Sequence, residues 1–176
     1  MGGTSVSETV IRPLGKPGDL GWVVMAHGEI YAAEYGWDAD FEALVARIVA
    51  DYAASHDPAH EAAWVAELDG RRVGCIFCVA EDEDTAKLRI LLVDPSARKR
   101  GIGTRLTSTC ISFAREAGYR RMRLWTNDPL TDARNIYLAA GFALVEQEPH
   151  HSFGADLVGQ VYELDLQDRM AVNRSE

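Results

Sequence analysis

The stretch VDPSARKRGIGTRL, residues 93–106, restricts the fold more than any other part of the chain. It follows the apolar run KLRILLV and precedes a helical pattern, so it connects a buried strand to a helix. The N–H groups in the first turn of a helix have no acceptor within the helix, and together with the helix dipole they bind phosphate oxygens. Gly101 and Gly103 allow the backbone to approach such a ligand closely. The stretch therefore predicts an anion site beside a central strand.

Two other phosphate loops do not match this stretch. A P-loop needs GxxxxGK followed by Ser or Thr, and the chain has no such run. The dinucleotide fingerprint GxGxxG needs a third glycine where Leu106 stands, and it belongs near the first strand of a βαβ unit. The remaining pattern, RxxGxG after a central strand, suits a pyrophosphate. Taken alone, the loop is also compatible with a solvated basic turn, which is the less favoured interpretation.

Hydrophobic periodicity predicts the element order β-α-α-β-β-β-α-β-α-β-β. Strands are predicted at TVIRPL, AAWVAEL, VGCIFCVA, KLRILLV, RMRLWT, FALVEQE and VGQVYELDL. Helices are predicted at about residues 20–35, at DFEALVARIVADYAASH with Asp40 as N-cap, at GIGTRLTSTCISFAREAG and at TDARNIYLAAG. This order predicts one α/β domain with a mixed sheet and helices on both faces. We expect the domain to span residues 9–166, between a disordered tail at 1–8 and a C-terminal tail at 167–176.

Composition excludes several classes of protein. The 27 acidic residues outnumber the 18 basic ones, and the formal net charge of -9 disfavours a nucleic-acid partner. No apolar run reaches the roughly 18 residues that a membrane-spanning helix needs. We therefore expect a cytoplasmic protein with no membrane partner.

Cys75 and Cys78 lie three apart on one strand and point to opposite faces, so they are predicted to be buried side chains rather than a metal or redox pair.

The second half of the chain resembles the GNAT superfamily of acetyl-CoA-dependent N-acetyltransferases. The resemblance runs from KLRILLV, through RxxGxG at Arg98, Gly101 and Gly103, to the YxxxGF that begins at Tyr137. It implies a mostly antiparallel sheet that is splayed at a central strand. More narrowly, GWVVMAHGEIYAAEYGWD, LWTND and EPHHSFGADLVGQVYELDL look like the acetyltransferase domain often fused to MarR-type regulators. The regulator half is absent here, so no DNA binding is carried over.

By this resemblance the anion is the pyrophosphate of coenzyme A, and acetyl-CoA is the acetyl donor. The amides of the loop hold the pyrophosphate, and the edge of the preceding strand pairs with the pantetheine arm. Many relatives bind the cofactor with an Asn at the position of Leu130, and here Asn127 or Asn135 can substitute, although each can also be a plain surface residue. The expected cofactor-binding residues are Leu91, Leu92, Val93, Arg98, Lys99, Arg100, Gly101, Ile102, Gly103, Thr104, Asn127 and Asn135.

Acetyl transfer requires a neutral amine, a polarised thioester carbonyl and a proton for the leaving thiolate. The family's usual donor to the carbonyl is a backbone N–H near Val93. Tyr137 matches the family tyrosine that lies beside the sulfur and acts as general acid. Periodicity alone would instead make Tyr137 a core residue of its helix.

The general base is not evident, because KLRILLV lacks the Glu that relatives often use. His27 and Glu34 are candidates, since they are seven positions apart and both lie on one helix face, about 10 Å apart along its axis. A core histidine and an ion-paired glutamate are the structural alternatives.

Aromatic residues around this helix predict an acceptor site. A carboxylate beside Trp22, Tyr31 and Trp37 suits an ammonium group through charge and cation–π contact. His150 and Ser152, in a predicted loop between the last two strands, are expected to line the same site. No metal is expected there, since adjacent His150 and His151 lack further ligands at zinc spacing.

The sequence thus predicts an N-acetyltransferase that moves an acetyl group from acetyl-CoA directly to a primary amine of a small-molecule or amino-acid-like acceptor. One alternative is a protein lysine or N-terminal acetyltransferase. Another is a non-catalytic acyl-CoA-binding sensor, because the strand Glu is missing. The sequence also leaves a homodimer open.

Overall fold

The structure is a computed structural model that describes residues 7–167. Its elements follow the predicted order: β1 (Thr9–Pro13), α1 (Asp19–Tyr35), α2 (Ala39–Ser55), β2 (Ala62–Leu68), β3 (Arg71–Ala80), β4 (Thr85–Val93), α3 (Ile102–Glu116), β5 (Arg121–Asn127), α4 (Thr131–Ala139), β6 (Ala143–Ser152) and β7 (Ala155–Asp165). A short 3-10 turn at Pro95–Ala97 leads from β4 into the glycine loop. The tails predicted at 1–8 and 167–176 lie almost entirely outside the described residues.

The strands form one seven-stranded sheet in the order β1-β2-β3-β4-β5-β7-β6. All neighbouring pairs are antiparallel except β4 and β5, which are parallel. The apolar run that the sequence marked as a central strand is therefore the fourth of seven. The predicted mixed, mostly antiparallel sheet is confirmed.

The sheet opens between β4 and β5. The two strands pair only where Thr85–Lys87 faces Arg121–Arg123, so residues 88–93 of β4 have no partner on β5 in the described structure. On its other side, β4 carries a bulge opposite Cys75 and Phe77, where Ile90 has a φ of 45°. A bulge bends its strand and increases the local twist. The splay implied by the family resemblance is thus present, and it leaves backbone N–H and C=O groups of β4 open to a ligand.

Helices cover both faces of the sheet, as predicted. On one face α3 and α4 enclose a core that includes Cys78, Leu88 and Leu106. On the other face α1 and α2 enclose a core that includes Cys75 and Phe77. The two cysteines are free and buried on opposite faces, so the CxxC spacing forms no paired site.

Two local predictions are wrong. The N-cap of α2 is Asp38 rather than Asp40, because the Asp38 side chain accepts a hydrogen bond from the Asp40 N–H at 3.0 Å. EPHHSFG is not a loop, since β6 extends through Ser152 and the turn consists of Phe153 and Gly154, both with positive φ. Strand β6 is an edge strand bonded only to β7, and such strands accept polar residues on their exposed faces.

Within residues 7–167, every helix is too short or too polar to cross a membrane.

Candidate active site

The glycine loop presents free backbone amides at the start of α3. The N-cap Gly101 has a φ of 74° and no side chain caps the helix, so the first-turn N–H groups are left without acceptors. Lys99 also has positive φ, at 61°. A turn of this kind makes a concave surface of N–H groups that favours an anion. The local geometry therefore fits the pyrophosphate predicted from the sequence.

The amides border a cavity of about 350 Å³, which we call the loop groove. Its walls come from the glycine loop, the end of β4, the start of α4 and the last turns of α1. Ten of the twelve predicted cofactor-binding residues line it; Arg100 and Asn127 do not. Of the two candidate substitutes for the family Asn, Asn135 is therefore the one that the structure places in the groove.

The two glycines of the loop serve different purposes. Gly101 has space around it but a backbone conformation that other residues adopt only with strain. Gly103 is in the helix, where an added Cβ would lie 2.7 Å from Cδ1 of Ile136 on α4. Gly103 thus lets α3 and α4 approach each other beside the groove.

A second cavity of about 300 Å³ lies in the gap between β4 and β5, and we call it the sheet cavity. It has walls from α1, α2, β4, β5 and α4, and it includes Tyr137. The two cavities meet because they share four lining residues, Tyr31, Leu91, Leu130 and Ala133. The amide-rich loop and Tyr137 therefore border two adjoining cavities at the splayed part of the sheet.

Tyr137 points inward from α4. It is only 5% exposed, and its ring packs edge-on against Phe142 at 5.8 Å. Burial, with smaller contributions from Tyr31 and Cys110, raises the pKa of the phenol well above its ordinary value. The hydroxyl is therefore protonated at neutral pH, which is the state that a proton donor requires.

Glu34 lines neither cavity, and it contacts the loop groove through Arg98. Its Oε1 is 2.6 Å from Nη2 of Arg98 in the glycine loop. The Nε of Arg98 also donates to the Val93 carbonyl at 3.2 Å. The structure thus shows the ion pair that the sequence had left as an alternative, and Arg98 connects α1 to the end of β4.

His27 is only 1% exposed and lines the sheet cavity through its ring. Its Nδ1 lies 2.7 Å from the Val23 carbonyl, which can only accept, so Nδ1 carries the hydrogen. Burial lowers the pKa of His27 to about 4, and the ring is neutral near pH 7. Its Nε2 is consequently an unprotonated nitrogen, buried without a partner among the described residues. The structure does not bring His27 and Glu34 together.

Most of the predicted aromatic group is present. Tyr31 lies 5.4 Å from Trp37 and 4.7 Å from Phe41 between ring centroids, and all three line the sheet cavity. Trp22 instead packs against the core under α1 and α2, and lines neither cavity. Sequence analysis did not nominate Phe41, although it begins the apolar stripe of α2.

His150, Ser152 and Asn127 form a hydrogen-bonded chain beside the sheet cavity. His150 Nε2 donates to Asn127 Oδ1 at 2.8 Å, and His150 Nδ1 accepts from Ser152 Oγ at 2.9 Å. Of the three, only Asn127 lines the cavity. Trp125 packs against His150 at 5.5 Å and lies over Gly159, where a Cβ would come 2.9 Å from the indole nitrogen.

Two cations in the sheet cavity were also missed by sequence analysis. Lys87 and Arg89 both line it, and none of its lining residues within the described chain is a carboxylate. The sequence could have indicated them, because alternation along KLRILLV places Lys87 and Arg89 on one face of an otherwise apolar strand.

Comparison with known proteins agrees with this geometry. The sequence model of the Acetyltransferase (GNAT) family matches residues 25–142. The chain belongs to this family. The predicted membership of the GNAT family is therefore confirmed. The matched range includes the glycine loop, the splayed strand and Tyr137.

Individual GNAT relatives match the chain in part. The "Probable N-acetyltransferase camello" of Xenopus tropicalis is 32% identical over 118 residues, which are 63% of this chain and 54% of the relative. The "Uncharacterized N-acetyltransferase MJ1207" of Methanocaldococcus jannaschii is 33% identical over 85 residues, 45% of this chain and 38% of the relative. The matches thus span well under two thirds of these relatives' own length.

A solved GNAT structure shares the fold. The protein yncA from Salmonella typhimurium, a "putative acetyltransferase" solved with its cofactor acetyl-CoA, has a TM-score of 0.70 to this chain at 20% identity. The alignment covers 92% of this chain and 95% of that one. At this identity the likeness concerns the arrangement of helices and strands.

Proposed function

We propose that the chain is an N-acetyltransferase that moves the acetyl group of acetyl-CoA directly to a primary amine of a small-molecule or amino-acid-like acceptor. One observation carries the proposal. The loop groove, bordered by Gly101 and Gly103, adjoins the sheet cavity, bordered by Tyr137, beside the gap between β4 and β5. A donor held by its diphosphate at one end and reacting at the other needs such an arrangement.

The donor's phosphates are held by the loop. The amides from Arg98 to Thr104 bind the pyrophosphate, and Lys99 and Arg100 at the exposed rim add positive charge. Residues 91–93 of β4, unpaired on the β5 side, bond the amides of the pantetheine arm as an added strand would. Asn135 takes the role of the family Asn at the groove wall.

The chemistry is performed where the two cavities meet. Acetyl-CoA supplies an activated thioester carbonyl and a thiol as leaving group. A backbone N–H near Val93 polarises the carbonyl oxygen, and Tyr137 gives its proton to the departing sulfur. The phenol is protonated at neutral pH, as a proton donor to the sulfur must be.

The identity of the general base that deprotonates the acceptor amine stays a prediction. His27 and Glu34 were the candidates from sequence. Glu34 is engaged by Arg98, while His27 offers an unprotonated nitrogen whose low pKa makes it a weak base. His150, linked to the cavity through Asn127, is the third titratable candidate.

Thiol release from acetyl-CoA measured over a panel of amines tests the proposal. Turnover with small amines supports it, and turnover only with protein lysines or N-termini assigns the alternative enzyme class. Tight acetyl-CoA binding in a calorimeter, without turnover on either panel, makes the protein a sensor. If calorimetry at modest salt detects no heat of binding with acetyl-CoA, the whole proposal fails.

The cytoplasmic localisation, the homodimer and the closer likeness to domains fused to MarR-type regulators stay predictions.

A further inference from the structure

Two basic residues line the sheet cavity from the middle of β4. Leu88 packs in the core under α3 and α4, so its neighbours Lys87 and Arg89 face the opposite side, towards α1 and α2. Both line the sheet cavity and both are half-buried. Residues two apart on a strand lie roughly 7 Å apart, close enough for both side chains to contact one small anion.

These cations lack ion-pair partners in the described part of the chain. No ion pair there includes Lys87 or Arg89. Asp51 acts on Arg89, and Glu81 on Lys87, only as more distant charges. Burial lowers the pKa of both groups, because an unpaired cation loses solvation there. An anionic ligand would supply the missing partner.

The rest of the sheet cavity is apolar. Aromatic rings of Tyr31, Trp37, Phe41 and Trp125 face it, together with aliphatic side chains of α2 and β4. A cavity of about 300 Å³ with this lining suits a small molecule that has an apolar body and one charged end.

We propose that the acceptor is an amine that also carries a carboxylate and an apolar side chain, and that Arg89 and Lys87 bind its carboxylate. The proposal rests on the acetyltransferase function proposed above and names the substrate class for that site. The planar guanidinium of Arg89 matches a carboxylate in a two-point contact, while Lys87 adds a point charge.

This arrangement also orients the amine. The cations lie on β4 before the bulge at Ile90, and the junction with the loop groove lies after it, at Leu91. A carboxylate held by Arg89 leaves the amino end of a small amino acid directed along β4 towards the junction. The aromatic wall of Tyr31, Trp37 and Phe41 then receives the side chain.

Matched substrates test the inference. Leucine, methionine and phenylalanine are compared with leucinamide, methioninamide and phenylalaninamide, with rates corrected for the neutral fraction of each amine. For at least one pair we expect the wild-type protein to prefer the acid by roughly 10- to 100-fold in kcat/KM, the range of a charged hydrogen bond. Arg89→Gln and Lys87→Gln should each reduce this preference, by raising KM for the acid more than KM for the amide.

An exposed cation provides the control. Arg47→Gln on the surface of α2 removes the same charge outside the cavity and should keep the preference for acids. Arg89→Lys keeps the charge but loses the two-point contact, and it should give an intermediate preference. Equal rates for acids and amides in the wild type, or a preference unchanged in both Gln variants, overturn the inference while leaving the acetyltransferase proposal intact.

The two proposals can fail separately. If no amine is acetylated, the proposed function fails, and calorimetry with leucine, methionine and phenylalanine decides the carboxylate site. Binding to the wild type that is lost in Arg89→Gln supports the site. No heat with any of the three, or heat unchanged in Arg89→Gln, overturns it.

Discussion

Tyr137 owes its proposed role to its surroundings rather than to its position on α4. Tyr137 packs in the core, where helical periodicity alone would place it. The same residue also lines the sheet cavity. The structural and the catalytic interpretations are therefore compatible, since Tyr137 both packs in the core and lines the sheet cavity. The raised pKa of the phenol follows from the same burial.

Replacing this hydroxyl should affect turnover and little else. Tyr137→Phe keeps the packing and removes the proton donor, so we expect kcat for thiol release to fall by about 100-fold or more with acetyl-CoA affinity unchanged. Tyr119→Phe is a matched control, because that hydroxyl bonds the His60 carbonyl and neither cavity includes it. Wild-type turnover in Tyr137→Phe would remove the assigned role.

At the scale of elements, the start of α3 and the middle of α4 are coupled through one contact. Gly103 is required where the two helices approach, and Ile136, the residue that limits this space, also lines the loop groove. Any atom added at Gly103 therefore displaces Ile136 beside Tyr137 and the donor site.

A small addition at this contact should weaken donor binding. Gly103→Ala places a Cβ 2.7 Å from Ile136 Cδ1, and such overpacking costs about 1–3 kcal/mol. We expect a several-fold or larger increase in the acetyl-CoA Kd by calorimetry. The double variant Gly103→Ala/Ile136→Val removes the colliding methyl and should recover much of the affinity. An unchanged Kd in Gly103→Ala would contradict the assigned contact.

At the scale of the whole molecule, a buried carboxylate ties three parts of the fold together. Asp19, in the first turn of α1, is inaccessible to solvent. It binds Arg12 of β1 at 2.8 and 2.9 Å, Arg72 of β3 at 2.8 Å, and the amides of Gly15 and Lys16. Because α1 supplies walls to both cavities, this cluster anchors the site to the sheet.

Neutralising the carboxylate should destabilise the protein. Asp19→Asn leaves Arg72 without an ion-pair partner among the described residues and leaves Arg12 with Glu67 alone, and breaking a buried pair in this way costs about 3–5 kcal/mol. Urea unfolding measures the change. Asp57→Asn, which alters an exposed pair with His60, should change the unfolding free energy little. A similar small change for Asp19→Asn would contradict the anchoring role.

The same cluster predicts acid sensitivity. Hydrogen bonds from Arg12 above all, together with the amides of Gly15 and Lys16 and the Arg72 side chain, hold the pKa of Asp19 well below its ordinary value of 3.8. The unfolded chain therefore binds this proton more readily than the folded one. The stabilisation is complete above the ordinary pKa and is lost as the pH falls below it towards the folded value. The wild type should lose more of its unfolding free energy than Asp19→Asn between neutral pH and pH values below that ordinary pKa, and parallel curves would refute this.

Local signals explain what could be predicted. Strand and helix periodicity, the positions of glycines at the ends of elements and the RxxGxG pattern all depend on neighbouring residues. The element order and the glycine loop at Gly101 and Gly103 could therefore be predicted from sequence. The extent of β6 was not, because its polar end around His150 is a strand only through pairing with β7. The N-cap of α2 was misplaced between two aspartates that differ by geometry alone.

The sequence by itself determined the family, the order of elements and the position of the glycine loop, because each depends on residues that are close along the chain. Only the tertiary structure decided which side chains share a cavity. The packing of α1 over β4 brings Glu34 to Arg98, and the splay of β4 from β5 opens a space for Tyr137, Lys87 and Arg89. These contacts join residues far apart in sequence, so they depend on how whole elements pack rather than on any local pattern.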